Sequence, residues 1–434
     1  MSVEENESIE KADGTEATAP PDEPSVFGVE PPHGSFYFAR DLVAARKQRN
    51  RRAGGVVRDY FRICWNKRRL INPEHYFKFR LYECESDLAK RMHDYIDPVD
   101  RRALNVAINR FAQADGIFSQ KLYFEALLRR FGVATTRTLG VVVRPGNSFE
   151  GSIGTTDELA AMLGKARFPI FGKPINGSLS RGVVVIEAYD GVSGSLRLHG
   201  GADVAATSFL AQVQKEFGEY GYLLQEKLEP HASMRSICGD AIGSVRMVTL
   251  SEEGETRPLY ALWKIPSIGA VADNFWRSGN VVAHLDVDTG RVLACQLGSG
   301  TQGRPIERHP ETGEPLVGFT LPHWQATRAL AIEGASVFYS VGVIGWDIAV
   351  TNEGPVLIEG NNNPDHGMLQ TAADRGLYST EAGQALAAAR RRGDARLVER
   401  NRETKANRRA LLRARRMQTL GQGFKTRGID GDAT

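Results

Sequence analysis

The chain has 434 residues, enough for two or three domains around a large core. Hydrophobic residues make up 41% and charged residues 25%, which excludes a wholly disordered chain, a collagen and a coiled coil. The formal net charge of +3 conceals strong segregation of charge along the sequence.

Residues 1–33 hold nine acidic residues and one lysine, with several prolines and few large apolar groups, a composition that predicts a disordered acidic leader. Residues 34–115 read as a basic, mostly helical segment; within 40–80 there are thirteen Lys or Arg against three acids. FSQKLYFEALLRRFGVATTRTLGVVV then opens as a helix, passes Gly132 and becomes β-rich up to Val143. TTDELAAMLGKA reads as a helix capped by Thr156, with Asp157 and Glu158 in its first turn. FPIFGKPI and RGVVVIEAY are strands on either side of a polar, glycine-bearing loop. YLLQEKL, SVRMVTL, PLYALWKIP and VVAHLDV are further strands, the last followed by a DTG turn. A helix enters near Pro322, and IGWDIAV and PVLIEGN close the folded part. Residues 388–428 hold fourteen Lys or Arg against three acids, so 386–434 read as a basic tail, helical or disordered. The order predicts two α/β lobes, 116–220 and 221–385, between a helical preamble and a basic helical extension.

No run of about 18 apolar residues occurs, so no transmembrane helix is expected. The acidic MSVEENESIE start does not resemble a secretory signal. Cys64, Cys84, Cys238 and Cys295 are scattered without a CxxC, as in reduced thiols of a cytoplasmic protein. The basic arms are suited to an anionic surface; as a plainer reading they are solvated arginine-rich helix.

The most informative stretch is IGWDIAVTNEGPVLIEGNNNPD, residues 344–365. TNEGP is a turn between two β-rich runs, which predicts an antiparallel hairpin. With the turn centred near Glu353, Asp347 faces Glu359, and Asn361 follows on the same face. Trp346, Ile348, Val350, Val356 and Ile358 then make an apolar opposite face. Two adjacent carboxylates repel unless they share a proton or a cation, and hard oxygen donors suit Mg²⁺. Upstream, FGKPINGSLSRGVVVIE places Lys173 on a strand before a loop with Asn176, Gly177, Ser178, Ser180 and Gly182. Glycines let backbone N–H groups approach an anion, and the lysine adds a point charge. The loop is no Walker A sequence, and alone it reads equally as an ordinary hairpin tip.

With these motifs in order, the sequence resembles the ATP-grasp superfamily over roughly residues 70–380, and within it the sugar-transfer-associated branch, also described as α-L-glutamate-ligase-related. The resemblance implies an α+β fold of two lobes gripping ATP, with Mg²⁺, or alternatively Mn²⁺, as metal. It implies that Lys173 contacts the ATP phosphates, that Lys121 also reaches the nucleotide, and that Asn176 to Gly182 closes over the phosphates. Gln225, Glu226, Lys227 and Leu228 resemble the inter-lobe adenine segment, and the ribose contact stays open between Glu229 and His231. Arg246 resembles the arginine that stabilises the transferring phosphate; Asn274, Arg277 and Gly279 resemble the loop that meets the γ-phosphate and second substrate. Asp347, Glu359 and Asn361 resemble the magnesium ligands, with Asn363 and Asp365 as further contacts and His366 as the histidine to watch. The chain departs from the family at SLSRG, where two adjacent glycines are common.

The implied reaction is ATP-dependent carboxylate–amine (or thiol) ligation through an acyl phosphate, on small-molecule or glycan carboxylates such as cell-envelope polysaccharide precursors. The alternatives are a kinase acting on a sugar or other hydroxyl, and a non-enzymatic nucleotide-binding protein with anion-binding arms. The sequence leaves the substrates and the oligomeric state open.

Overall fold

The computed structural model describes Phe27 and residues 38–49, 53–83, 92–112, 114–176, 182–271 and 279–426. Apart from Phe27, the expected acidic leader lies outside the described residues. Phe27 itself is buried, its ring 5.0 Å from Phe217 in an edge-to-face contact and 6.1 Å from Tyr222.

Two seven-stranded sheets organise the chain. The first contains β1 (Thr138–Val142), β2 (Ser152–Ile153), β3 (Ile170–Pro174), β4 (Val184–Asp190), β5 (Ser195–Leu198), β6 (Asp203–Ala205) and β7 (Tyr222–Glu226), in the order β2-β1-β7-β3-β4-β5-β6. Strand β7, which the sequence boundary at 220 puts at the head of the second lobe, hydrogen-bonds inside the first sheet, between β1 and β3. The helices Thr156–Leu163 and Ala206–Phe217 bury Leu159, Leu163, Phe209 and Val213 against Val142, Ile170 and Ile186. The first of these helices is capped by Thr155, one residue before the expected Thr156. Glu158 at its third position reaches back to the Thr155 N–H, so the pair forms a capping box.

The second sheet contains β8 (Val245–Glu252), β9 (Glu255–Ile265), β10 (Val281–Leu285), β11 (Val292–Leu297), β12 (Arg304–Ile306), β13 (Val343–Thr351) and β14 (Gly354–Asn361). Their order is β12-β11-β10-β9-β8-β13-β14. Alternation along the strands gives it two buried faces. Val245, Met247, Trp263, Ile344 and Trp346 pack with Leu330 and Ala331 of the helix Trp324–Val337 and with Phe124 and Leu128 of the helix Lys121–Arg130. Val248, Leu250, Leu262, Val282 and Val343 pack with Leu104, Met368, Leu369, Leu386 and Ala389 from three later or earlier helices. Those helices are Pro98–Ile108, Gly367–Ala372 and the long Glu381–Thr426.

The long helix approaches Pro98–Ile108 so closely that a Cβ on Gly393 would lie 2.2 Å from the Ala107 carbonyl oxygen. Arg392 pairs with Glu252, and Arg110 with Asp394 at 3.0 Å. From residue 399 to 415 every residue is exposed. The basic preamble is helical over Phe38–Arg49, Ala53–Lys67 and Pro73–Lys78, around a core of Ile63, Tyr76, Phe77 and Tyr82. Cys64, Cys238 and Cys295 are buried and form no disulfide among the described residues, and Cys84 lies outside them. No helix among the described residues is long and apolar enough to cross a membrane.

Candidate active site

The hairpin β13–β14 carries the acidic half of the site. Gly345 pairs with Asn361, Trp346 with Gly360 and Asp347 with Glu359, the register expected from the sequence. Towards the turn the register slips by one, so that Ile348 faces Leu357 and Thr351 faces Gly354. The slip is a bulge at Ile358, and the turn has two residues, Asn352 and Glu353. The apolar face is corrected accordingly: Leu357, fully buried, joins Trp346, Ile348 and Val350, whereas Val356 and Ile358 are only partly buried. The bulge lies on the turn side of Glu359, so it leaves the pairing of the two acids intact.

Asp347 is buried and heavily neutralised. On its other side β13 pairs with β8, Asp347 facing Arg246. Arg246 Nε donates to Oδ1 at 2.5 Å and Nη2 to Oδ2 at 2.9 Å, a bidentate pair. Lys264 Nζ, from β9, donates to Oδ2 at 3.0 Å. Despite burial, the Arg246 guanidinium and the Lys264 ammonium hold the Asp347 carboxyl well below its usual range. Arg246, expected to face the transferring phosphate, therefore has two of its nitrogens fixed on this aspartate. Lys264 is a site residue that the sequence reading misses; a lone lysine inside the apolar run PLYALWKIP is the signal it leaves.

Metal-binding capacity follows from the remaining lone pairs. A carboxylate has about four acceptor sites, and Asp347 uses three, so one on Oδ1 is left. Asn361 Oδ1 accepts the Asn363 N–H at 2.8 Å and keeps its second lone pair. Glu359 accepts no hydrogen bond among the described residues. The three can each give one hard oxygen, which fits Mg²⁺ with waters and phosphates completing the shell. No group of three or more His, Cys, Asp or Glu side chains clusters as a metal site among the described residues.

The cationic half comes from the first sheet. Lys173 on β3 is buried, and no hydrogen bond to its ammonium occurs among the described residues. Burial pushes its pKa down from 10.5 to about 8; attraction to Glu359 opposes this and repulsion from Lys121 adds to it. Lys121 opens the helix Lys121–Arg130 and donates to the Ile175 carbonyl at 3.1 Å, two residues beyond Lys173. The Lys121 ammonium and the Glu359 carboxylate, which lies on the second sheet, thus both act on Lys173. Of the glycine loop, Asn176 is exposed at one end. Gly182 stands at the other with φ +69, its carbonyl accepting from the Tyr222 hydroxyl at 2.8 Å. Gly177 and Ser178 between them, and Asn274 and Arg277 of the second loop, lie outside the described residues. Gly279 is described and exposed, with φ +90.

The expected adenine segment is partly engaged elsewhere. Gln225 is buried, and its Nε2 donates to Glu125 Oε2 at 2.6 Å and to the Thr136 and Thr138 hydroxyls at 3.1 Å each. It ties β7 to the helix Lys121–Arg130. Glu226 pairs with Arg137 at 3.0 Å, and Lys227 reaches the Asp240 carbonyl at 3.4 Å. Leu228 is partly buried. Glu229 pairs with Arg235 at 2.9 Å, and His231 accepts the Ser233 N–H as a helix cap at 3.2 Å.

Behind Asn361 stands a clamp that the sequence reading also misses. Arg101, Asn105 and Asn109 recur every four residues on one face of the helix Pro98–Ile108 and its cap. Arg101 pairs with Asp365 at 3.0 Å. Asn105 Nδ2 donates to Asn363 Oδ1 at 2.9 Å and to the Pro364 carbonyl at 3.1 Å. Asn109 Nδ2 donates to the Val343 and Asn362 carbonyls at 2.9 and 2.7 Å, and its Oδ1 accepts the Val343 N–H at 2.8 Å. Asn363 and Asp365, named from the sequence as further contacts of the site, bond to this helix. His366 is fully buried between Asn105 Oδ1 at 2.9 Å and the Tyr260 hydroxyl at 2.8 Å. An amide oxygen only accepts, so His366 carries its proton on Nε2 and Nδ1 accepts from Tyr260. Burial lowers its pKa to about 4, which keeps it neutral.

The chain is similar, at low identity, to solved ligase structures. The D-alanine–D-alanine ligase of Coxiella burnetii is 11% identical, over 68% of this chain and 63% of that one, with a TM-score of 0.38. The L-amino acid ligase of Bacillus licheniformis is 12% identical over 58% and 42%, with a TM-score of 0.33. A biotin carboxylase complex from Campylobacter jejuni is 11% identical over 64% and 47%, with a TM-score of 0.36. The chain spans less than half the length of the last two. None of the curated proteins matches it. Residues 101–384 match the family described as sugar-transfer associated ATP-grasp, a span that takes in both sheets, the paired acids, both lysines and the clamp. The chain belongs to the sugar-transfer associated ATP-grasp family.

Proposed function

We propose that this chain is an ATP-dependent carboxylate–amine ligase that works through an acyl phosphate. The observation that carries the proposal is the Lys173 ammonium, buried and without a hydrogen-bond partner among the described residues, beside Lys121 and influenced by Glu359 of the other lobe. A buried cation without a partner costs several kcal/mol and is retained where an anion completes it. A triphosphate lying between the lobes supplies that anion, and its oxygens take the two ammonium groups as fixed counter-charges. Magnesium, when bound by Asp347, Glu359 and Asn361, supplies further charge neutralisation at the phosphates. Arg246 and Lys264 keep the Asp347 carboxylate ionised and in one orientation.

In the proposed reaction a substrate carboxylate oxygen attacks the γ-phosphorus, the bond to the β–γ bridging oxygen breaks, and ADP leaves. An amine nitrogen then attacks the acyl carbon, the carbon–oxygen bond to phosphate breaks, and inorganic phosphate leaves as the nitrogen loses a proton. No serine, cysteine or histidine nucleophile is needed, in keeping with a His366 that is buried with both ring nitrogens hydrogen-bonded inside the fold. Gly177, Ser178, Asn274 and Arg277 enter this reading through the family resemblance alone.

The test is ADP release across paired carboxylates and amines, with product masses recorded. An amide with ADP and free phosphate supports the ligase; a phosphorylated acceptor with ADP alone makes the protein a kinase. Lys173→Ala and Glu359→Ala should each abolish release. Undiminished turnover in both variants removes the assignment.

A further inference from the structure

The helix Ala53–Lys67 has an inner and an outer face. Val56, Asp59, Ile63 and Cys64 point inward and are buried. The outer face is not the polar surface such a helix ordinarily shows. Phe61 is 57% exposed and Trp65, one turn on, 84% exposed; Leu70, just past the helix end, is 76% exposed. Arg58 and Arg62 line one side of the aromatic pair, both exposed, with Arg58 Nε 4.0 Å from Asp59 Oδ1, and Arg68 stands exposed in the turn between Trp65 and Leu70. The turn is held firmly. Arg68 and Arg69 donate their N–H groups to the Trp65 and Cys64 carbonyls, both at 3.1 Å. Arg69 pairs with Asp97, and Lys67 with Asp100.

Leaving a tryptophan in water forfeits much of what its burial contributes, and three large apolar groups exposed within ten residues of chain, joined by a turn closed onto the helix end, mark a contact surface. The arginines beside these groups select the sign of the partner: it must be anionic. Base stacking would use Phe61 and Trp65 but gives Leu70 no role, because leucine has no π-face. An anionic bilayer uses all three, since tryptophan, phenylalanine and leucine enter the interface while arginines meet the headgroups. We propose that the patch formed by Phe61, Trp65 and Leu70 with Arg58, Arg62 and Arg68 seats the protein on the surface of an anionic lipid bilayer. The patch lies in the preamble, ahead of the family-matched residues, so the inference stands apart from the nucleotide site.

The test uses the full chain with vesicles of phosphatidylcholine alone and vesicles with about one-third phosphatidylglycerol. Binding is expected to the anionic vesicles only. Arg58→Gln and Arg62→Gln should each weaken it about fivefold. Phe61→Ser with Trp65→Ser should weaken it about tenfold or more and leave ADP release unchanged. Lipids carrying a quencher in their acyl chains should quench the wild-type tryptophan emission more than that of Trp65→Phe. Equal quenching of those two proteins overturns the proposal, because the basic helix beyond Gly393 would then be the lipid contact. It is also overturned by RNA binding without vesicle binding, or by self-association that the double serine variant abolishes without any vesicle binding.

Discussion

Lys173→Met should make the protein more stable and inactive at once. The ordinary lysine pKa of 10.5 is lowered to about 8 in the fold, chiefly by burial. Below pH 8 both the folded and the unfolded chain carry the proton, and the folded state bears the whole cost of holding it. That interval is worth about 3 kcal/mol. Between pH 8 and 10.5 the unfolded chain binds the proton that the folded chain has released, so stability rises with pH and the cost fades. Methionine keeps the apolar stem and has nothing to ionise. The attraction to Glu359 that it forfeits is already contained in the lysine's net shift. Urea unfolding of the two proteins should therefore differ by about 3 kcal/mol in favour of the variant at pH 7, and by about 1 kcal/mol at pH 9.5. ADP release should fall by about two orders of magnitude or more. Calorimetric titration with ATP near pH 9, in buffers of different ionisation enthalpy, should show proton uptake by the wild type and less by the variant. A Lys173→Met protein that is less stable at pH 7, or equally shifted at both pH values, would refute the idea that this ammonium waits unpaired for an anion.

Asp347→Asn leaves Arg246 and Lys264 buried without their carboxylate and should cost about 3–5 kcal/mol in urea unfolding. Because Asp347 titrates well below the ordinary 3.8, its stabilisation is present above that pH and lost as pH falls below it; the variant should flatten the acid limb. His366, lowered from 6.5 to about 4, destabilises the fold as pH drops through that window, by about 3 kcal/mol in all. His366→Gln should reduce the slope between pH 6.5 and 4, leaving the share of His284, which burial also lowers to about 4. Asn105→Ala strips His366 Nε2 and Asn363 Oδ1 of partners and should cost about 3 kcal/mol, with slower ADP release if the clamp positions Asn361. Gly393→Ala puts a methyl 2.2 Å from the Ala107 oxygen; it should lift the long helix and speed tryptic cleavage at Arg390 to Arg392.

Those variants touch features of unequal visibility in the sequence. The order of strands and helices, the helix–strand passage at Gly132 and the antiparallel hairpin are legible because each is a local pattern: an apolar period, a glycine, a turn. The polar stripe Arg101, Asn105, Asn109 has the same periodicity as an exposed helix face, so nothing in the sequence sets it apart from a solvated one. Only the return of the chain 250 residues later, with Asn362, Asn363 and Asp365, turns that stripe into a clamp. Gln225 is similar. Next to Glu226 and Lys227 it looks like part of a polar segment facing a ligand, yet alternation along β7 sends its side chain into the Glu125, Thr136 and Thr138 cluster.

The hairpin shows where local pattern ends and long-range electrostatics takes over. All nine residues of β13 are buried, so hydrophobicity on its two faces cannot distinguish one register from the next. Near the turn the register is set by the two-residue loop, and the bulge at Ile358 absorbs the mismatch among interchangeable apolar groups. At the other end the constraint is charge. A one-residue slip there would carry Asp347 away from Arg246 and Lys264 to the opposite face, where Trp346 and Ile348 pack, and leave two buried cations unpaired. That cost exceeds anything an aliphatic side chain gains by shifting register. The ion triad therefore fixes the line of Asp347 opposite Glu359, and the bulge is the device that lets the turn obey its own geometry without moving that line.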